Sequence, residues 1–265
     1  MISLFLCTLS LIAKIAPNTH IIGQNIIYFN QIDSTNSFAQ ELIKDRMVEN
    51  GTIIFAEEQI RGKGQRLKSW ISEPKKNLTF SIILTNNNNK INNPFILNKL
   101  IAVTILEILR KYMPNNDIEI KWPNDLMVNR KKISGILIEN NFIGHLLNFS
   151  IIGIGININQ ENTLVNATSF YKLLKIEQNR AHIFKYFIEK LDINYRYLLT
   201  DGATFFENQF NQNLLGLGIL NLFKVNDNLI EAKILGCDNN GSIIIETKNG
   251  IQKFQHGTIQ QIINE

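Results

Sequence analysis

The chain has 265 residues, 45% of them hydrophobic, and a formal net charge of +4 from 27 Lys and Arg against 23 Asp and Glu. That is enough chain for one large core, with or without a small satellite domain. The mild charge suits anionic small ligands and gives no sign of a nucleic-acid binder, which would gather its basic residues in a patch or stripe. Two distant cysteines, Cys7 and Cys237, exclude a disulfide framework and a Cys-ligated structural metal, and the expected location is the cytoplasm.

Residues 1–16 are apolar but have no basic leader, and they fall short of the ~20 apolar residues that span a bilayer. Residues 1–25 therefore read as an N-terminal extension or the product of an upstream start, and no membrane partner is expected. A short strand is predicted over 26–29. Ser34 or Thr35 then offers an N-cap for a helix with Phe38, Leu42 and Ile43 at helical spacing. That helix fades near Gly51, and a β-branched strand follows at 52–56.

Residues 59–76 lack periodicity and read as a basic, glycine-containing loop. A strand follows at 78–84, then the strongest helix, over 95–112, which stops at Pro114. Three strands separated by short turns, at 118–122, 133–138 and 146–156, suggest antiparallel pairing. Helices are expected at 180–199 and 203–212. From 219 to 262 short strands alternate with turns at 226–228, 238–241 and 248–250, with two Asn-Gly hairpin signals. The reading is an α+β main domain with a mostly antiparallel sheet, followed by a small β-barrel.

Four segments break local packing rules. In Asp33-Ser34-Thr35-Asn36 three short polar side chains meet at a strand-to-helix junction. They suit a helix cap, and equally a cup for a neutral polar group. The loop Gln59 to Trp70 alternates glycines at 62 and 64 with the cations Arg61, Lys63, Arg66 and Lys68. It suits phosphates or a solvated surface, and it lacks P-loop spacing. Trp70 could stack on a base or anchor the loop.

The third segment is Lys121-Trp122-Pro123-Asn124-Asp125, followed by Lys131-Lys132-Ile133-Ser134-Gly135. It ends one strand, turns the chain, and opens another with a lysine and an internal glycine. A lysine held there could neutralise a carboxylate and a phosphate as they react. In the fourth, Gly153-Ile154-Gly155-Ile156-Asn157, two glycines interrupt a β-branched strand. They suit either a flat ligand lying on the strand or a bulge. The third glycine and following helix of a dinucleotide fingerprint are missing.

In order and spacing these segments resemble the biotin–protein ligase family, from about Ile26 to the C-terminus; Lys-Trp-Pro-Asn-Asp followed by Lys-Ile-Ser-Gly-Ile-Leu-Ile-Glu is the most specific part. The resemblance implies a catalytic domain like that of class II aminoacyl-tRNA synthetases over 26–215, and an SH3-like C-terminal barrel over 216–265. It implies ATP and Mg²⁺ as cofactors, biotin as substrate, and the biotin carboxyl carrier protein domain of a biotin-dependent carboxylase as partner. The enzyme would be a monomer or weak homodimer without a DNA-binding module, because too few residues precede the first core strand for a helix-turn-helix.

By position, Ser34, Thr35, Asn36 and Gln59 correspond to biotin-ring contacts, with Lys63, Gly64 and Gln65 on the loop that closes over biotin and its adenylate. Gly135, Gly153 and Gly155 complete the expected biotin site. Lys132 corresponds to the lysine on the biotin carboxylate and the reacting phosphate, supported by Lys121 and Asp125. Lys63, Gln65, Arg66, Trp70, Asn124, Lys132 and Asn157 form the expected adenylate contacts; no protein-held metal site is expected. The loop departs from the family's Gly-Arg-Gly-Arg form, reading Gly62-Lys63-Gly64-Gln65, so it loses arginine's bidentate fork. The alternatives are a lipoate–protein ligase or octanoyltransferase on the same scaffold, which would need an apolar channel, and a non-catalytic biotin-binding protein.

Overall fold

The computed structural model describes residues 15–45, 48–86 and 91–263. Residues 1–14 of the apolar leader, Cys7 among them, and residues 87–90, which hold most of the asparagine run, lie outside the described residues. The chain folds as α+β around a seven-stranded mixed sheet. Its strands are β1 (Ile26–Phe29), β2 (Thr52–Ala56), β3 (Leu78–Thr85), β4 (Ile118–Lys121), β5 (Asp125–Val128), β6 (Lys131–Ile143) and β7 (Leu146–Ile156), in the order β1-β2-β3-β7-β6-β5-β4. Every neighbouring pair is antiparallel except β1 with β2.

Strand β5 was not expected. Asp125 pairs with Lys121 and opens this strand of four residues, so the Pro123-Asn124 turn is tighter than the sequence suggested. Among the described residues the helices are α1 (Thr35–Asp45), α2 (Phe95–Tyr112), the short and unexpected α3 (Phe170–Leu174), α4 (Arg180–Leu198) and α5 (Ala203–Gln212).

The two faces of the sheet are divided by the period of two in each strand. On β2, Ile53 and Phe55 join the large core under α2 and α4, while Ile54 joins Ala39, Ile83 and Ile151 beneath α1. Phe55 and Phe80 meet Phe184 of α4 edge-on, with ring centroids 5.1 Å apart in each pair. Phe38, Leu42 and Ile43, the stripe expected on α1, pack on the opposite face. The N-terminal segment is tied to α4 by Asp192, which accepts from the backbone N–H of His20, Ile21 and Ile22 at 2.8–3.1 Å.

A second, fully antiparallel sheet follows: β8 (Leu220–Val225), β9 (Asn228–Cys237), β10 (Ile243–Thr247), β11 (Gly250–Phe254) and β12 (Gln260–Ile262), in the order β11-β10-β9-β8-β12. Asn226 and Asp227, with φ of 45° and 68°, turn β8 into β9, the twist-matched hairpin geometry that favours these residue types. Its inward residues Phe223, Ala232, Ile234, Ile243 and Ile245 belong to the same buried cluster as the main sheet. Trp122, at the end of β4, donates from Nε1 to the Gly241 carbonyl at 3.0 Å. The two sheets are therefore packed as one body at this point.

Candidate active site

On the α1 side of the sheet, alternation places Ser81 of β3, Gly153 and Gly155 of β7, and Gly135, Leu137 and Glu139 of β6 on one face. Registers put Ser81 opposite Gly153, and Gly155 between Thr79 and Gly135. Three glycines thus clear a floor in the middle of an otherwise β-branched sheet. The bulge reading fails, because Gly153 and Gly155 sit in unbroken register on both sides. Gly153 and Gly155 line the first cavity, and flat groups of the protein's own lie against them as well. A Cβ on Gly155 would lie 2.3 Å from Trp70 Cε2, and one on Gly153 would lie 2.4 Å from Asn36 Oδ1.

At one end of this floor Ser34, Thr35 and Asn36 are all buried. The cap reading of Ser34 is weak in the structure, because its Oγ is 3.5 Å from the Ser37 N–H, at the far edge of hydrogen bonding. The hydroxyl therefore faces the cavity largely unused. Gln59 Oε1 accepts from the Thr35 backbone N–H at 2.9 Å and lies 3.1 Å from Thr35 Oγ1. Ser81 Oγ lies 2.6 Å from both Thr35 Oγ1 and Asn36 Oδ1. Ser34, Thr35, Asn36 and Gln59 line a cavity closed on its outer side by Lys63, Gly64, Gln65 and Trp70, with Ser81 buried behind them.

The loop is more ordered internally than its sequence suggested. Trp70 N donates to Gly62 O at 2.8 Å, Gly64 N donates to Lys68 O at 2.7 Å, and Lys63 bridges Ser69. A 3-10 turn at Gln65–Leu67 closes the tip, with Arg66 left-handed at φ 54°. The glycines serve this hairpin: a Cβ on Gly62 would lie 2.5 Å from Trp70 O. The Gly64 N–H is therefore turned to the loop's own backbone and is not offered to a ligand. Trp70 anchors the loop, its indole lying on Gly155 and Gly135, and its Nε1 is buried without a hydrogen-bond partner.

A second cavity adjoins the first and shares Gly64, Gln65, Trp70, Asn124 and Lys132 with it. Lys132 stands at the junction. Its Nζ is 2.7 Å from Asp125 Oδ1 and 5.6 Å from the Trp70 ring centroid. Lys121, Arg66 and Asn157 also line this second cavity. Burial lowers the Lys121 pKa from its ordinary value; Lys132 and Lys68 push the same way, and Asp125 opposes them. Asn157 Nδ2 donates to Thr168 O at 3.0 Å, while its Oδ1 is buried and unpartnered. Asn124 has a structural duty as well, donating to Ile136 O at 2.6 Å beside the cis Trp122–Pro123 peptide.

Every residue expected from the resemblance to contact biotin or the adenylate, or to support Lys132, lines one cavity or the other; the loop cation Arg61 does not, and pairs with Asp33. Sequence reasoning missed Ser81, Glu139 and His256. Ser81 was findable as a hydroxyl inside the apolar run Leu78–Thr85. His256 comes from the C-terminal sheet region, lines the second cavity, and meets Trp122 edge-on at 5.8 Å. Its pKa is lowered by burial first and then by Arg66 and Lys68, against Asp125. The seat for the Arg66 guanidinium is Gly257, where a side chain would occupy the same space.

A model of the biotin/lipoate A/B protein ligase family matches residues 28–157. The bifunctional ligase/repressor BirA of Bacillus subtilis (strain 168) is 30% identical over 248 residues, spanning 91% of this chain and 75% of that relative. The biotin–[acetyl-CoA-carboxylase] ligase of Paracoccus denitrificans is 29% identical over 127 residues, covering 48% of this chain and 51% of its own. Among solved structures, the biotin protein ligase from Aquifex aeolicus in complex with biotin and ATP superposes with a TM-score of 0.76 at 24% identity, covering 91% of this chain and 100% of that one. That last likeness is one of fold. Relatedness along nine-tenths of the sequence, joined to the shared fold, shows that the chain belongs to the biotin/lipoate A/B protein ligase family.

Proposed function

We propose that this protein is a biotin–protein ligase. It activates biotin with ATP to give biotinyl-5'-AMP and pyrophosphate, then transfers the biotinyl group to a lysine of a biotin carboxyl carrier protein domain, releasing AMP. The observation that carries the reading is the pair of cavities joined at Lys132, with a buried polar cup at one end and cations at the other. A neutral ring with N–H and C=O groups suits Ser34, Thr35, Asn36 and Gln59. A chain as apolar as a lipoyl or octanoyl tail would leave those groups unpaired, at a cost of about 1–3 kcal/mol each.

In the first step a biotin carboxylate oxygen attacks the α-phosphorus of ATP and the bond to pyrophosphate breaks. Negative charge builds at the phosphorus, and a fixed ammonium offsets it. Lys132 is placed for that task, because its position opens on both cavities and Asp125 holds its side chain. Lys121 stands behind it, with Lys63 and Arg66 as further cations at the rim. Asn157 Oδ1 and Trp70 Nε1 are an acceptor and a donor left open beside the second cavity, which suits the adenylate half. Gly64, Gln65 and Asn124 line both cavities and would be shared by biotin and adenylate. Closure of the loop would keep water from the mixed anhydride. In the second step the carrier's lysine nitrogen attacks the biotinyl carbonyl, and the bond to AMP breaks.

Among the described residues no group of three or more His, Cys, Asp or Glu side chains could hold a metal ion, and Asp125 already pairs with Lys132. The residues present do not build a magnesium cage; Mg²⁺ would arrive on the phosphates of ATP. We also assign residues 26–215 to a catalytic domain of class II synthetase type and residues 216–265 to an SH3-like barrel, in keeping with the two sheets. No described helix is long and apolar enough to cross a membrane. The test is mass spectrometry of a carrier domain incubated with the protein, biotin and ATP. One biotinyl addition on a single lysine is expected, and an unmodified carrier in the presence of active protein and both substrates would sink the reading.

A further inference from the structure

A carboxylate without a cation lies behind the polar cup. Glu139 of β6 is partly buried, and both its oxygens are taken by amides: Asn36 Nδ2 donates at 2.7 Å and Gln40 Nε2 at 2.9 Å. Among the described residues no lysine or arginine forms an ion pair with it. Stability alone gives no reason to place an uncompensated charge here.

Its consequence follows from donor and acceptor counting. A carboxylate only accepts, so the amide nitrogen of Asn36 must face Glu139 and Oδ1 must face the other way. That oxygen meets Ser81 Oγ at 2.6 Å. An amide oxygen cannot donate, so the single Ser81 proton goes to it. Ser81 is also 2.6 Å from Thr35 Oγ1, whose own proton is given to Gln59 Oε1 at 3.1 Å. The series Ser81 to Asn36 to Glu139 therefore runs in one direction, and the carboxylate sets it. Gly153 holds the amide in place, since Oδ1 lies where a Cβ there would be crowded at 2.4 Å.

We propose that Glu139 is a positioning residue that fixes the hydrogen-bonding polarity of the cup. It leaves the Ser34 hydroxyl and the second Asn36 N–H as donors to a ring carbonyl, and the Thr35 and Asn36 oxygens as acceptors for ring N–H groups. This deepens the biotin reading and rests on it.

The experiment measures KM for biotin and for ATP separately, by biotin-dependent exchange between pyrophosphate and ATP, in the unaltered protein and in Glu139→Ala, Glu139→Gln and Ser81→Ala. Glu139→Ala should raise the biotin KM by about tenfold or more while the ATP KM stays within about twofold. Glu139→Gln should stay within about threefold of the unaltered protein, because its amide oxygen can still accept from Asn36 while Gln40 turns its own oxygen to the new nitrogen. Ser81→Ala should raise the biotin KM several-fold, and it carries the test if Glu139→Ala does not fold. The proposal is overturned if the biotin KM is unmoved in both Ala variants, if both KM values rise together, or if Glu139→Gln is as impaired as Glu139→Ala. Absence of biotin-dependent exchange in the unaltered protein overturns the functional reading itself, and the proposal with it.

Discussion

Replacing Gly155 with alanine puts a methyl group into the space of the Trp70 indole. The new Cβ would lie 2.3 Å from Cε2, 2.4 Å from Cζ2 and 2.8 Å from Nε1. Carbon atoms rest about 3.5–4.0 Å apart, so the ring must retreat by about 1.2 Å or more. The sheet cannot yield instead, because Gly155 is paired in register with Thr79 on one side and Gly135 on the other. The loop can yield: it lies at the surface, and the Trp70 backbone is joined to Gly62 by a single hydrogen bond of 2.8 Å. Retreat of Trp70 would carry Lys63, Gly64 and Gln65 away from the first cavity and remove the ring beside Lys132. A misplacement of that size in a site that works by positioning costs on the order of 10–100-fold in rate. Global stability should fall by no more than about 1–3 kcal/mol. The chain has two tryptophans, and Trp122 remains held by Gly241, so a red shift in emission should report Trp70. A Gly155→Ala protein with unchanged emission and unchanged exchange rate would refute the seating of Trp70 on this glycine and the role given to the loop.

Lys132→Ala should lower the exchange rate by about 10²–10³-fold with circular dichroism unchanged; a folded variant with near-normal turnover removes Lys132 from its role. Replacing both Lys63 and Gln65 with arginine should slow release of the adenylate by restoring forked, bidentate contacts, measured as dissociation of labelled biotinyl-5'-AMP; unchanged release dismisses the idea. Burial pushes the Asp192 pKa up, but the N–H groups of Ile22, His20 and Ile21 and the Arg196 side chain more than offset this and hold it below its ordinary value of 3.8. A depressed folded value means that the unfolded chain binds the proton more readily. The contribution is therefore complete above that ordinary value and is lost as the pH falls through the lower folded one. Asp192→Asn should cost about 1–3 kcal/mol in urea denaturation at neutral pH and much less near pH 2; an equal loss at both would show that charge is not involved.

The elements that read clearly from sequence are those whose pattern is set by one dominant physical effect. The α2 stripe and the hairpin turns at Asn226-Asp227 and Asn249-Gly250 were legible because amphipathic period and turn chemistry are local. Strand β5 was hidden because its four residues follow Pro123-Asn124, and its pairing with β4 and β6 is a tertiary fact. The lining residues of the site were legible as types, since buried polar groups and glycines in β-branched strands ask for a partner. What they faced was not: Gly155 and Gly153 make room for Trp70 and Asn36, groups 85 and 117 positions away in the chain. Glu139 and His256 carried no local signal: the sheet register sets Glu139 opposite Ile151, and the packing of the second sheet brings His256 to the second cavity.

The most direct test of the account is exchange of labelled pyrophosphate into ATP, with and without biotin, in the unaltered protein and in Lys132→Ala. Exchange that requires biotin and collapses in the lysine variant is the predicted result. Exchange that proceeds without biotin, or that is supported by lipoate or octanoate and not by biotin, would contradict the claim that the polar cup and the Lys132 ammonium together activate a biotin carboxylate.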